Sequence, residues 1–228
     1  MAHHGKKYKA MAKTFEDKLY PLPEAIKKAK DTSFSKFPGS IELHIGITLP
    51  KDKEPKSVKG SLSLPHPVSV KETRIIVFCD KDKVESATKA GAIEAGLEDL
   101  VKKVKGGWME FDVALASPSV MPQIAILGKE LGPKGLMPNP KTGTLTDDFE
   151  KAIGEFKKGK TKWSCDESGG VHVVIGKVDT DDEKIIENIK TALQTIADTI
   201  GKPKELLVKA ITLSPTMGAG VRVEIEGI

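Results

Sequence analysis

The chain has 228 residues, of which 39% are hydrophobic and 30% are charged, and its formal net charge at pH 7 is +4. This hydrophobic content supports a packed core and excludes a chain that is disordered throughout. No apolar run reaches the roughly 18–20 residues of a membrane-spanning helix, and the basic N-terminus lacks the apolar segment of a secretory signal. The two cysteines, Cys79 and Cys165, have no metal-binding spacing, which predicts a reducing, cytoplasmic compartment.

The excess positive charge lies in the first part of the chain. Residues 1–67 contain 13 basic and 7 acidic residues, whereas residues 68–159 contain 14 of each sign. Among the 36 basic residues only Arg74 and Arg222 are arginines. Lysine is a point charge toward phosphate, while paired recognition of a base edge favours arginine. A nucleic-acid partner would thus be recognised by shape and backbone, although a lysine-rich solvated surface explains the same composition.

The first part of the chain contains two alternating patterns. Ile41–Ile47 alternates apolar with polar residues, which predicts a strand with Glu42 and His44 on the face opposite the core. Ser57–Leu64 repeats the pattern, and the charged connection between the two predicts a hairpin or a pair of neighbouring strands. A short helix is predicted to begin at Leu22, with a proline in its first turn.

The pattern changes after residue 67. The continuous apolar run at Arg74–Phe78 predicts a buried strand, and a second strand is predicted at Phe111–Ala116. Helical stripes separate and follow these strands, ending with a predicted helix over Phe149–Lys158. Strands that alternate with helices predict a small parallel sheet covered by helices on both faces.

Residues 160–228 return to the β pattern. Strands are predicted at His172–Ile175, Leu206–Leu213 and Val221–Ile225, and the strongest helix over Thr180–Ile200. Thr180 and Glu183 predict a capping box at the start of that helix.

The sequence therefore predicts an α+β fold of two domains. The first domain is discontinuous, comprising residues 1–67 and 160–228, and its two parts share an antiparallel sheet packed by helices. The second domain, residues 68–159, is an inserted α/β, Rossmann-like unit.

The inserted unit invites an enzymatic interpretation, but the required motifs are missing. The sequence contains no G-x-G-x-x-G segment, no G-x-x-x-x-G-K-[ST] loop and no G-x-S-x-G nucleophile elbow. The five histidines have no metal-ligand spacing. We therefore expect no catalytic residue, no metal and no cofactor, and a nucleotide-dependent enzyme that uses the insert is the alternative.

Three features have the composition of RNA contacts. Lys36 and Phe37 offer an ammonium for phosphate and a ring for a base or ribose, although a core position for Phe37 is equally open. The turn at residues 216–220 contains glycines that would let another backbone approach, although it also fits a plain hairpin. His44 and His172 are predicted on the polar face of one sheet, where they could donate to phosphate or ribose.

Several segments, in the same order along the chain, resemble the bacterial form of the large-subunit ribosomal protein L-one family. They are SKFPGSIELH, KGSLSLPH, GGWMEFDVALASPSVM, LGPKGLMPNPKTGT, GGVHVVIGK and SPTMGAGVRV. The resemblance covers nearly the whole chain. It implies a non-enzymatic protein that binds large-subunit rRNA, forms the mobile stalk near the tRNA exit site and assists release of deacylated tRNA.

The resemblance also implies partners and a location. The partners are large-subunit rRNA, exit-site tRNA and the protein's own operon mRNA, whose translation it would repress. The protein is expected to be cytoplasmic and ribosome-associated, monomeric when free of the ribosome, and without a membrane partner.

The resemblance implies an RNA site on the discontinuous first domain. Carried over residue by residue, it comprises Lys36, Phe37, Ser40, Glu42, His172, Thr216, Met217 and Gly218. Lys134 and Lys141 are candidates for a lesser contact from the second domain. The chain departs from the family at residues 49–60, where contacts are not assigned, and at residues 67–71, where a Gly-rich basic segment is usual and a stiffer connection is expected.

Overall fold

The computed structural model describes residues 5–12, 16, 18–49, 54–68 and 73–225. Residues 50–53 and 69–72, which include parts of both departures from the family, lie outside the described residues. The helices are α1 (Lys6–Ala12), α2 (Leu22–Asp31), α3 (Val84–Lys89), α4 (Glu98–Lys105), α5 (Met121–Ile124), α6 (Gly128–Leu131), α7 (Phe149–Lys157), α8 (Asp182–Ile200) and α9 (Lys204–Leu207). The strands are β1 (Ser40–Ile47), β2 (Lys59–Leu62), β3 (Ile75–Phe78), β4 (Glu94–Gly96), β5 (Val113–Ala116), β6 (Thr161–Ser164), β7 (Gly170–Lys177), β8 (Val208–Pro215) and β9 (Val221–Val223).

Contacts within the chain divide it into two compact units. The split unit comprises residues 1–68 and 163–228, and the inserted unit comprises residues 69–162. Both contain helices and strands, so the fold is mixed α and β. Within the described ranges, the structure contains no helix with the length and hydropathy needed to cross a membrane.

The split unit is built on an antiparallel sheet with the strand order β7-β1-β8-β9. Residues of β1 alternate between buried and half-buried, as predicted for a strand with one face on the core. The buried face contributes to an apolar cluster with α2 and α8. The opposite face, called the outer face below, carries Glu42 and His44 of β1, His172 of β7 and Thr212 of β8.

Helix α8 follows the predicted apolar stripe. Its buried residues include Ile185, Ile189, Leu193, Ile196 and Ile200. The helix ends at Ile200 and is capped by Gly201, whose φ of 77° lies in the left-handed region that favours glycine. The predicted capping box is wrong, because Asp181 is the N-cap residue and the Thr180 hydroxyl accepts from the backbone N–H of Lys177 at 3.1 Å. The hydroxyl closes the turn that leaves β7 instead.

The prediction that the strands at Ile41–Ile47 and Ser57–Leu64 form a hairpin or lie side by side is wrong. Both edges of β1 are occupied, by β7 and β8, and β2 forms a separate two-stranded sheet with β6. Beyond β6, the backbone N–H of Cys165 donates to the carbonyl of Val58 at 2.9 Å. Alternation shows that a strand has a buried face, but it does not identify the neighbouring strand.

The predicted strand Leu206–Leu213 begins later than expected. The carbonyl of Pro203 accepts from the backbone N–H groups of Leu206 and Leu207 at 3.2 and 3.1 Å, and these residues form the helical turn α9. The last strand is also shorter than predicted, because β9 ends at Val223.

The inserted unit contains a parallel sheet with the strand order β4-β3-β5. Strand β4 was not predicted, because its three residues contain no apolar run. Side chains from successive residues of β3 enter two different clusters, one containing Ile75 and Val77 and the other containing Ile76 and Phe78. Helices therefore cover both faces of this sheet, as the alternating pattern predicted.

Candidate nucleic-acid interface

The segment that leads into β1 contains Lys36 and Phe37, two of the residues predicted to contact RNA. Lys36 is exposed, and the side chain of Phe37 is 59% exposed, so Phe37 is not part of the core. The Ser35 hydroxyl donates to the carbonyl oxygen of Phe37 at 2.7 Å. This bond closes the bend in the backbone at residues 36 and 37.

Backbone and side-chain hydrogen bonds join the start of β1 to the turn after β8. The backbone N–H of Ser40 donates to the Thr216 hydroxyl at 2.9 Å, and the backbone N–H of Thr216 donates to the Ser40 carbonyl at 2.9 Å. Two segments that lie 176 positions apart in the sequence are thereby held together. We call the resulting surface, formed by Lys36, Phe37, Ser40, Thr216 and Met217, the junction.

Met217 has an unusual backbone conformation within the junction. Among the described residues it is the non-glycine residue with a positive φ, 66°, and its side chain is 67% exposed. A non-glycine residue in this region costs on the order of 1–3 kcal/mol and is found most often at functional sites. The strain is therefore associated with an exposed apolar side chain at the end of β8.

Gly218 is required by the packing of the protein itself. A Cβ added there would lie 2.3 Å from Cγ of Pro215 and 3.0 Å from the carbonyl oxygen of Thr32. A protein contact therefore accounts for this glycine, and a contact between Gly218 and an RNA backbone stays a prediction. The buried Thr32, which sequence reasoning missed, donates its hydroxyl to the carbonyl of Ala29 at 2.9 Å and connects the end of α2 to this turn.

A pair of histidines lies further along the outer face. His44 and His172 are directly opposite each other on β1 and β7, and their Nδ1 atoms are 2.8 Å apart. Nε2 of His44 is 3.9 Å from a carboxylate oxygen of Glu42, and Nε2 of His172 is 3.5 Å from a carboxylate oxygen of Asp166. We call His44 and His172 the histidine pair. Asp166 gave no signal in the sequence.

The surroundings of the histidine pair change the pKa values of two groups. Burial lowers the pKa of the His44 imidazole, and the adjacent His172 lowers it further, whereas the charge of Glu42 raises it. The backbone N–H of Gly170, which donates to Asp166 at 2.6 Å, is the main cause that lowers the pKa of that carboxyl group. A shallow cavity of about 310 Å³ borders the pair and is also lined by Gly46, Lys209 and Thr212, among others.

The two candidates from the second domain lie in the proline-rich loop of the inserted unit. Lys134 and Lys141 are both exposed. The Asn139 side chain accepts from the backbone N–H of Lys141 at 2.9 Å, and the Thr144 hydroxyl accepts from the backbone N–H of Asn139 at 2.8 Å. These hydrogen bonds within the loop therefore fix the position of the Lys141 backbone. Within the described ranges, no group of three or more histidine, cysteine and acidic residues is arranged to bind a metal.

The chain matches the Ribosomal protein L1p/L10e family over residues 26–219. It is 42% identical over 225 residues to the large ribosomal subunit protein uL1 of Treponema denticola, covering 98% of each chain. The uL1 proteins of Thermosipho melanesiensis and of onion yellows phytoplasma are 42% identical over 228 residues and 40% identical over 222 residues. These two matches cover 98% and 96% of this chain and 97% and 96% of the relatives. The chain therefore belongs to the ribosomal protein L1p/L10e family, which consists of structural ribosomal proteins and not of enzymes.

Proposed function

We propose that this protein is a structural component of the large ribosomal subunit that binds large-subunit rRNA through the junction and the outer face of the split unit. The observation that carries the proposal is the hydrogen bonding between Ser40 and Thr216, which holds together the two segments that contain the exposed residues Phe37 and Met217. Membership of the family supports the ribosomal role.

The chemistry of the junction favours RNA over an apolar partner. An exposed aromatic ring provides a surface for stacking, and Lys36 beside it provides a charge for phosphate. The rest of the proposed site continues along the outer face, where Glu42 and His172 lie on β1 and β7. Carboxylate and imidazole groups can hydrogen-bond to ribose hydroxyls and base edges, so this face combines stacking with polar contacts.

The wider role follows from the family resemblance and from the division into two units. We propose that the split and inserted units are the two domains of the mobile stalk near the tRNA exit site, and that their motion assists release of deacylated tRNA. Lys134 and Lys141 would supply the lesser RNA contact. The protein would also repress translation of its own operon mRNA, and it would be cytoplasmic and monomeric when free of the ribosome. The enzymatic alternative is excluded by the family.

The proposal predicts that the split unit retains most of the RNA affinity. In a variant with residues 69–162 replaced by a Gly-Ser linker, the Kd for large-subunit rRNA should stay within about tenfold of the full chain, a difference of about 1.4 kcal/mol. Each variant is titrated at one fixed salt concentration, because phosphate contacts depend strongly on salt. The probe is an in vitro transcript of the Treponema denticola large-subunit rRNA.

The control for this experiment is a transcript of equal length with a shuffled sequence. Equal affinity of the full chain for both transcripts would contradict specific rRNA binding. Specific binding by the full chain that is lost in the folded split-unit variant would assign the site to the inserted unit instead. Crosslinking in cells, followed by sequencing of the bound RNA, would test the proposed mRNA partner separately.

A second prediction concerns the Thr216 hydroxyl. Thr216→Val keeps the branched shape but leaves the backbone N–H of Ser40 without its side-chain acceptor. We expect rRNA binding to weaken by about 1–3 kcal/mol, because the junction loses the bond that positions both of its segments. Thr216→Ser keeps the hydroxyl and is the matched control. Equal Kd values for the valine and serine variants would remove Thr216 from the site.

A further inference from the structure

The histidine pair is connected by one hydrogen bond, and the nearby carboxylates favour one of its two possible arrangements of protons. Two Nδ1 atoms at 2.8 Å require one N–H donor and one bare nitrogen acceptor. The Asp166 carboxylate can only accept, and it faces Nε2 of His172 at 3.5 Å, whereas Glu42 lies farther from Nε2 of His44, at 3.9 Å. Asp166 therefore places the proton of His172 on its Nε2. Nδ1 of His172 is then the acceptor, and Nδ1 of His44 is the donor.

This arrangement leaves one nitrogen of the pair able to gain a proton. In neutral His44 the proton is on Nδ1, so Nε2 is bare. A proton from solvent can bind Nε2 of His44 without breaking the Nδ1–Nδ1 hydrogen bond. A second proton would have to bind Nδ1 of His172, where it would face the Nδ1–H of His44. The pair therefore has room for one additional proton, and not for two.

We propose that binding of an RNA phosphate on the outer face is coupled to the uptake of one proton at Nε2 of His44. This inference rests on the proposed function and concerns the regulation of the same site. It makes His44 a further binding residue, neutral in the free protein and cationic in the complex. The RNA affinity of the protein then rises as the pH falls.

The histidine pair lies close enough to the junction for one ligand to contact both. Ser40 and His44 lie on the same face of β1, and four residues of a strand span about 13 Å. One folded RNA element can therefore contact both. The cavity beside the pair is lined in part by Gly46, which has no side chain to obstruct an approaching phosphate.

The charged groups around the pair set the direction of the coupling. Glu42 on β1 and Asp166 before β7 favour a cation, whereas Lys209 on β8, which lines the same cavity, opposes it. In the free protein, burial and His172 outweigh Glu42 and lower the pKa of His44. An arriving phosphate adds a negative charge and raises this pKa, so binding and protonation strengthen each other.

The free protein should respond to pH in the opposite direction. Because the pKa of His44 is lower in the folded than in the unfolded chain, the unfolded chain binds more protons between these two pKa values. The contribution of His44 to stability is thus lost as the pH falls below about 6.5. Acid destabilises the free protein at this site, while it strengthens RNA binding.

The test is a titration of the full chain with the large-subunit rRNA transcript at pH 5.5, 6.5 and 7.5 and constant ionic strength. We expect the Kd to be about tenfold lower at pH 5.5 than at pH 7.5, which corresponds to a pKa change of about one unit. The slope of log Kd against pH should not exceed one. Calorimetry in two buffers of different ionisation enthalpy should report up to one proton taken up per complex.

His44→Asn tests the assignment directly. Its amide N–H can replace the Nδ1 donor toward His172, but it offers no site for the additional proton that His44 binds at Nε2, so the pH dependence of the Kd should disappear. His66→Asn is the matched control, because His66 pairs with Glu187 of α8 on the other side of the sheet and should leave the slope unchanged. Thermal melts at each pH establish that every variant is folded.

Three outcomes would overturn the inference. They are a pH-independent Kd for the unaltered chain, a slope that persists in folded His44→Asn, and a slope close to two. None of them is the failure of the proposed function, which would appear as equal affinity for the rRNA and shuffled transcripts at every pH.

Discussion

Replacing both Phe37 and Met217 by alanine is expected to weaken binding to large-subunit rRNA by about 2–4 kcal/mol, or roughly 30- to 700-fold in Kd. Both side chains are mostly exposed in the free protein, at 59% and 67%. A base or ribose that packs on them would bury apolar surface that the fold does not use. The double variant should therefore retain the stability of the unaltered chain while it loses affinity.

Leu206→Ala is the matched control for the double variant. Leu206 is also an exposed apolar residue of the split unit, at 70%, but it lies at the opposite end of β8 from Met217. Eight residues of strand separate the two positions by about 26 Å. The Kd should be unchanged in Leu206→Ala. Equal losses in both variants, or no loss in the Phe37 and Met217 variant, would contradict the junction as the RNA site.

The second large effect is expected on the free energy of unfolding, when the buried amide of Asn188 is replaced. Its side chain is 1% exposed, on the apolar side of α8. The amide nitrogen donates to the carbonyls of His66 and Ile175 at 2.9 and 2.8 Å, and the amide oxygen accepts from the backbone N–H of His66 at 3.1 Å. This one side chain therefore connects α8 to β7 and to the segment after β2.

Asn188→Leu should lower the free energy of unfolding of the split unit by about 2–5 kcal/mol. Leucine has the same branched shape but leaves three backbone polar groups without their partner, and each buried unsatisfied group costs about 1–3 kcal/mol. The larger apolar side chain of leucine offsets part of this loss. Urea denaturation can be followed by the fluorescence of the buried Trp163. A Trp108→Phe background makes Trp163 the single tryptophan of the chain.

The control for this prediction is Gln194→Leu, which makes a similar amide-to-leucine change on the exposed side of the same helix. Gln194 donates to Asp198 at 2.8 Å in contact with solvent, so its replacement should change the stability by no more than about 0.5 kcal/mol. Equal stabilities of the Asn188 and Gln194 variants would show that the buried amide is not needed.

Local periodicity was enough to predict most of the elements. The alternation along Ile41–Ile47 and the stripe along α8 depend on which side chains face the core, and both patterns persist in the structure. The pairing of strands was harder to predict, because neither the β2 nor the β6 segment contains a local pattern that identifies its neighbour. Asn188 was also missed, since a polar residue within an apolar stripe gives no indication of the backbone groups that it contacts.

Some features of the candidate site could likewise be predicted from the sequence, and others could not. The sequence determined the family, the alternating faces of β1, and the residue types that suit RNA at positions 36, 37 and 216–218. Only the tertiary structure decided that Phe37 is exposed, that Thr216 bonds to Ser40, that Gly218 accommodates Pro215, and that His44 faces His172 across two strands. The physical reason is range, because backbone periodicity acts over a few residues, whereas these contacts join segments more than a hundred positions apart, or, as at Gly218, depend on how a turn packs.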